Sequence, residues 1–322
     1  MSRRKPRRWR SLWLLAVAIA GISFAVWKVS TARLYGLQKL SGTIFYSLGT
    51  RFPDTFLAAL RGGIRTGVGK GVYAVSCGTG RPVPSMISSS LAPDSAYRLV
   101  AGDASGILYE RKVNGRFEYY IHQVKSKQTM RFMWRHPNER LLWMNMKQGT
   151  SITYRDGIIL MRDHKSVREL FRIASAGTLR EDQWAAALSS DLKLLAVFYR
   201  RTVNILDVET GKVIASIDGY GFAWSPTDPN LIAISSSEHI SLCRVTSGAL
   251  QTIATTTGQA GETVLCWHPK GRFLLSRYQM VDFHRLVPEA TGLLVRDLNR
   301  DLCIVRRVPA SGWGCDTAVW VE

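Results

Sequence analysis

No acidic residue occurs before Asp54, and residues 1–40 carry nine lysines and arginines. That imbalance excludes an ordinary solvated start to a globular domain and points to a segment that meets a negative surface. Local motifs of catalysis are also missing. The chain has no glycine-rich phosphate loop, no GxGxxG turn and no Gly-x-Ser-x-Gly elbow. Its six histidines, His122, His136, His164, His239, His268 and His284, never fall at HxH or HxxxH spacing, so no local zinc site is written in them. Five cysteines stand far apart at 77, 243, 266, 303 and 315. Without a CxxC pair they suit neither a zinc ribbon nor a thioredoxin-type centre, and an odd count is no disulfide framework. Cys243 and Cys266 sit in apolar runs and are expected in the core.

What the N-terminus does have is an ordered set of membrane signals. Arg3, Arg4, Lys5, Arg7, Arg8 and Arg10 precede an apolar run from Leu12 to Trp27, interrupted only by Ser23. A helix of this run rises about 1.5 Å per residue, which brings it near the lower end of bilayer-spanning lengths. Trp9, Trp13 and Trp27 flank it, as indoles do at membrane interfaces. The reading is a basic tail over residues 1–10, a transmembrane signal-anchor over 11–28 and a linker over 29–42. A cleaved signal peptide is the competing reading, with Ser30-Thr31-Ala32 as its small-residue site. The larger basic cluster stays in the cytoplasm. The remaining domain is therefore expected outside it, in the periplasm if the host is a bacterium.

Residues 43–322 repeat. Six segments place a turn before an apolar stretch: Arg51-Phe52-Pro53-Asp54, Leu91-Ala92-Pro93-Asp94, Trp134-Arg135-His136-Pro137, Leu188-Ser189-Ser190-Asp191, Trp224-Ser225-Pro226-Thr227 and Trp267-His268-Pro269-Lys270. Proline presets φ and removes a donor, so it belongs between strands. A later strand repeats too, from Val72 to Arg81, from Val203 to Lys212 and from Ile240 to Gly248, with Ile158–Met161 as a further version. Successive markers are 36 to 53 residues apart, bracketing the ~40–45 residues of a propeller blade. The expected fold is all-β, a six-bladed β-propeller with seven blades as the alternative, preceded by one transmembrane helix. One more interval from Pro269 reaches the last residues, where Trp320 matches Trp134, Trp224 and Trp267. The strand holding Trp320 is then expected to complete the first blade, whose other strands come from residues 55–87. Thr43–Leu48 competes for the same slot.

The Trp224-Ser225-Pro226 turn and the Asp207-Val208-Glu209-Thr210-Gly211-Lys212 turn resemble those of WD-repeat and TolB-type propellers. The resemblance covers roughly residues 43–322. No third strand ends in Trp-Asp, and Ser189-Ser190 replaces Ser-Pro in one repeat, so the looser bacterial TolB-like class is the better match. The resemblance implies a binding platform, although fold does not establish function.

No catalytic, cofactor-binding or metal-binding residue is assigned, and no cofactor is expected. His136 and His268 stand before proline in turns, where a structural role suits them. Eleven bases fall between Lys125 and Arg172; they form either an anion-binding face or charges scattered over several strands. Trp184, Trp313 and Trp320 could line a binding surface, though packing explains them equally well. The expected function is a membrane-anchored, non-catalytic interaction propeller, acting as scaffold or receptor, with an unidentified protein partner. The alternatives are a hydrolase or lyase working at the propeller channel and a basic propeller docking on anionic lipid. Nucleic acid is a disfavoured partner.

Overall fold

The computed structural model describes residues 40–48, 70–77, 85–90, 96–136, 138–173, 185–246, 248–258, 262–282, 287–309 and 315–322. They form six four-stranded antiparallel sheets arranged as a closed ring. Blade 1 contains β1 (Thr43–Leu48), β2 (Lys70–Ser76) and β3 (Ser85–Ser90). Blade 2 contains β4 (Ala96–Asp103), β5 (Gly106–Val113), β6 (Arg116–Gln123) and β7 (Thr129–Phe132). Blade 3 contains β8 (Arg140–Asn145), β9 (Thr150–Arg155), β10 (Ile158–Arg162) and β11 (Val167–Arg172). Blade 4 contains β12 (Ala185–Leu188), β13 (Leu194–Tyr199), β14 (Thr202–Asp207) and β15 (Val213–Asp218). Blade 5 contains β16 (Gly221–Trp224), β17 (Leu231–Ser235), β18 (His239–Thr246) and β19 (Ala249–Thr257). Blade 6 contains β20 (Thr263–Trp267), β21 (Phe273–Asp282), β22 (Val287–Asp297) and β23 (Cys303–Pro309). The last strand, β24 (Cys315–Val321), returns to blade 1 as its innermost strand.

Strand alternation explains why the ring holds together. In β13, Leu195 and Val197 pack toward blade 3, while Leu194 and Ala196 pack toward blade 5. In β1, Ile44 and Tyr46 face blade 6, and Phe45 faces blade 2. Both faces of a blade are therefore covered, so its strands read as continuous apolar runs. Each of the six blade interfaces has its own buried apolar cluster. Among the described residues the cluster between blades 2 and 3 has five buried members, against eight to eleven at the others. Indoles add directional ties across two interfaces. Trp224 Nε1 donates to the Ala187 carbonyl at 3.0 Å, and Trp267 Nε1 to the Ala223 carbonyl at 2.9 Å.

The expected closure by the Trp320 strand is present. β24 pairs with β1 in antiparallel register, Thr43 opposite Val321 and Ile44 opposite Trp320. The chain next to it is Thr43–Leu48, which therefore holds the second-strand slot and not the innermost one. Residues 55–69, part of the stretch expected to supply the other strands, lie outside the described residues. Gly42 makes the approach feasible: its φ is +91°, and a Cβ there would stand 2.3 Å from the Val321 carbonyl oxygen.

Two markers belong to a different turn of the blade than expected. The Trp134 turn precedes β8, and the apolar stretch after the Pro93 marker is β4, yet β4 and β8 are both innermost strands. The Trp224 and Trp267 turns instead follow innermost strands. Trp134 is thus not equivalent to Trp224, Trp267 and Trp320. The physical reason is that a four-stranded blade has several turns with similar chemistry, and only contact around the ring sets which strand is inside. The basic tail and the 11–28 span lie outside the described residues. Among the described residues no helix is long and apolar enough to cross a membrane.

Candidate functional site: the central channel

The innermost strands all run the same way, so the central channel has two unlike mouths. The leading mouth lies where these strands begin and where hairpins join second to third strands. The trailing mouth lies where they finish. A cavity of about 1700 Å³ runs between them, lined by residues from all six blades.

Charge divides sharply between the mouths. The described lining at the leading mouth includes Arg98, Lys112, Arg140, Arg200, Arg201 and Arg277, with only Glu110 and Glu262 as carboxylates. Register fixes these positions: Lys112 pairs with Ala96 at the start of β4, and Arg277 with Thr263 at the start of β20. The trailing mouth has Asp103, Glu322 and Lys147.

Glu110 shows how the leading mouth is stabilised. It is 3% exposed, on β5. Arg98 Nη2 lies 3.2 Å from its Oε2, and Arg140 Nη2 donates to its Oε1 at 2.9 Å. Arg98 also donates to the carbonyls of Leu141 and Leu142 on the next blade. Tyr119 accepts from the Leu141 amide at 2.9 Å and donates to Glu110 at 3.3 Å. Burial alone would raise the Glu110 carboxyl, but the Arg98 and Arg140 guanidiniums override it and hold it down to about 2. This network bridges blades 2 and 3, where the apolar cluster is smallest. Phe117 completes it, with Arg140 4.7 Å and Lys112 5.1 Å from its ring centre.

A second device occurs twice, position for position. Glu262, just before β20, accepts from Ser276 on β21 and pairs with Arg296 on β22 at 2.6 Å. Glu139, just before β8, accepts from Thr153 on β9 at 2.9 Å and pairs with Arg162 on β10. In each blade the hydroxyl residue stands opposite the residue two beyond the glutamate, and the arginine lies two beyond the hydroxyl's other partner. These are internal braces that fix three strands of a blade.

The hairpins at the leading mouth differ in a telling way. Asn114-Gly115 joins β5 to β6, and Asp156-Gly157 joins β9 to β10. Both pairs have left-handed φ, +50° and +78° in the first, +49° and +83° in the second. These are the residues that such two-residue turns favour. In blade 4 the same turn is Arg200-Arg201, with φ of +46° and +66°. Side chains bearing a Cβ are strained there. Both arginines line the channel and both are exposed. Arg200 stacks on Tyr199 at 5.2 Å and Arg201 on Tyr220 at 5.6 Å.

At the trailing mouth, Glu322 accepts from Lys270 Nζ at 2.8 Å and from Ser41, and stands 3.4 Å from His268 Nε2. His268 packs edge-on to Trp320 at 4.8 Å, and burial pushes its imidazole down despite the Glu322 charge. Asp103 accepts from the Ser105 amide at 2.8 Å, and its carboxyl lies below the usual range: burial opposes this, but bonds from Ser105 outweigh it.

The basic stretch from Lys125 to Arg172 does not form one face. Arg140 and Lys147 reach the channel, at opposite mouths, while Arg131, Arg168 and Arg172 lie on outermost strands. His268 and His136 are not equivalent, since one follows an innermost strand and the other precedes one. Trp320 is buried in the core between blades 6 and 1 and also borders the channel; Trp184 and Trp313 lie outside the described residues. Cys243 is in the core as expected, whereas Cys266 is half-buried beside the channel. Among the described residues no three His, Cys, Asp or Glu side chains converge to hold a metal ion. Arg200 and Arg201 were not visible as candidates from composition. Their signal is two bases where the preceding blades have Asn-Gly and Asp-Gly.

No family model and no curated protein matches the chain. Solved structures do. TolB from Acinetobacter baumannii aligns over 87% of this chain and 67% of its own, at 14% identity and a TM-score of 0.54. A Lactobacillus plantarum protein aligns over 88% and 100%, at 11% identity and a TM-score of 0.50. A putative 6-phosphogluconolactonase from Bacteroides fragilis aligns over 86% and 83%, at 12% identity and a TM-score of 0.48. At these identities the likeness is one of fold, and the chain shares the β-propeller architecture of TolB.

Proposed function

We propose that this protein is a membrane-anchored interaction propeller that engages a protein partner at its channel and carries out no chemistry there. One observation supports the reading above others. Among the described residues the lining carboxylates are committed to internal partners, and those of Glu110, Asp103 and Glu322 are held below their ordinary range. A general acid or base at neutral pH needs the opposite shift. The channel is braced by ion pairs of its described lining residues, which suits a rigid receptor.

The anchor in this reading is residues 11–28, with the basic tail in the cytoplasm and the propeller outside it. A C-terminal alkaline phosphatase fusion tests the orientation: activity is expected, and an inactive fusion beside an active cytoplasmic reporter at the same position would overturn it. Retention of the full chain in membranes after an alkaline wash, and its loss on deletion of residues 1–28, tests the anchor itself. For the partner, a photo-crosslinking residue at Tyr220 should trap one adduct in intact membranes. Adducts as frequent from an outer-strand position such as Val213 would contradict engagement at the channel.

A further inference from the structure

The Arg200-Arg201 hairpin combines three features found at none of the other described two-residue hairpins of the leading mouth. It carries two positive charges, it is strained, and it lines the channel. Strain of this kind persists where the surroundings over-determine it, and it concentrates at functional sites. Among the described residues neither guanidinium has a carboxylate at ion-pair distance, and each is held over a tyrosine ring instead. Behind them the throat is lined by Arg98, Lys112 and Arg140.

We propose that the leading mouth binds a carboxylate-rich peptide segment of a partner protein, with Arg200 and Arg201 as its exposed anion contacts. The proposal rests on the interaction reading above and names the chemistry of the partner. Four observations select this occupant. The leading-mouth cations come from blades 2, 3, 4 and 6, so they surround a passage and do not converge on one small anion. The cavity of about 1700 Å³ exceeds the ~300–1,000 Å³ of ordinary small-molecule pockets. Bases of single-stranded nucleic acid would need open aromatic faces beside the arginine pair, but the rings nearest it, Tyr199 and Tyr220, already have the arginines over them.

The fourth is the place where the N-terminal segment joins. The Ser41 carbonyl accepts from Trp320 Nε1 at 3.1 Å, and the Gly42 carbonyl accepts from the Cys77 amide at 2.9 Å. Thr43 pairs with Val321, so the N-terminal residues enter at the trailing mouth. A membrane tether attached there leaves the arginine pair at the far end of the channel, facing a partner in the aqueous phase and not lipid headgroups.

The test uses the full chain in nonionic detergent and a fluorescein-labelled oligoglutamate peptide, read by fluorescence anisotropy. Saturable binding that weakens with salt is expected. Arg200→Asn with Arg201→Gly restores the favoured turn residues, so it should raise the denaturation midpoint while weakening peptide binding roughly tenfold. Lys125→Gln with Lys127→Asn removes the same charge from an exposed turn outside the channel lining, and should change affinity less than about twofold. Equal losses in the two variants, unchanged affinity in the first, or no saturable binding by the parent chain would overturn the proposal. Tighter, Arg200-dependent binding of oligothymidylate or of phosphatidylserine vesicles would overturn the choice of peptide. None of these outcomes depends on membrane topology, which the reporter fusion tests separately.

Discussion

The two mouths of the channel are built by the same six innermost strands, yet they differ in every property that bears on binding. Among the described lining residues the leading mouth gathers six cations and two matched carboxylates, and the trailing mouth two carboxylates and Lys147, with Lys270 beside Glu322. The leading mouth also contains the arginine hairpin, in a conformation that Asn114-Gly115 and Asp156-Gly157 adopt with less strain. The trailing mouth receives the N-terminal segment and secures it through Ser41, Glu322 and Trp320. The contrast teaches that propeller strands supply a frame, while turn residues and a few strand ends give each mouth its character. One mouth carries the strand closure of the ring, and the described residues of the other are rich in cations.

The sharpest way to break this contrast is to remove its central carboxylate. Glu110→Gln leaves Arg98 and Arg140 buried without their counter-charge and should destabilise the fold by about 3–5 kcal/mol in urea denaturation. Asp103→Asn at the trailing mouth, which loses bonds within one exposed turn, should cost less than about 1 kcal/mol. Equal effects would mean that the Glu110 network does not hold blades 2 and 3 together.

Acid should expose the same asymmetry. The folded Glu110 carboxyl is depressed to about 2, so the stability it contributes is present above its ordinary value of 4.5 and is lost as pH falls toward 2. Thermal melts from pH 5 to pH 2 should show a steep loss in the parent chain. In Glu110→Gln the loss should be shallower.

At the trailing mouth, Trp267→Phe removes the indole bond to the Ala223 carbonyl. About 1–2 kcal/mol of destabilisation is expected, without a change in oligoglutamate affinity. The smallest effect has the opposite sign. Arg200→Asn with Arg201→Gly should stabilise the fold by about 1 kcal/mol by relieving left-handed strain. Placing Arg-Arg at Asn114-Gly115 should destabilise it by a similar amount. If the first change were destabilising, the hairpin would be a structural clamp and not a strained contact site.

Much of the ring was legible in the sequence. The matched third strands lie in β2 and β14, where Val72–Ser76 and Val203–Asp207 are both strand, and Trp320 does return to blade 1. The phase of blades 2 and 3 was not legible. The turns at Pro93 and Trp134 use the same residue types as those at Pro226 and Pro269, and which strand lies inside is decided by contacts between blades. The site was harder still. Its cations stand at 98, 112, 140, 200, 201 and 277, too far apart for any window of sequence to collect. The densest basic window, from Lys125 to Arg172, is instead dispersed over innermost, outermost and turn positions because successive strands cross the blade. The buried Glu110 gave no warning either, since a lone glutamate in a strand acquires meaning only beside Arg98 and Arg140.

The most direct test of the unequal mouths is to map where an acidic peptide sits. An oligoglutamate carrying a photo-reactive group at its centre, irradiated with the full chain and located by mass spectrometry, should attach near Tyr199, Arg201 and Tyr220. Attachment mainly around Lys147 and Lys270, or spread evenly over the outer strands, would contradict the account.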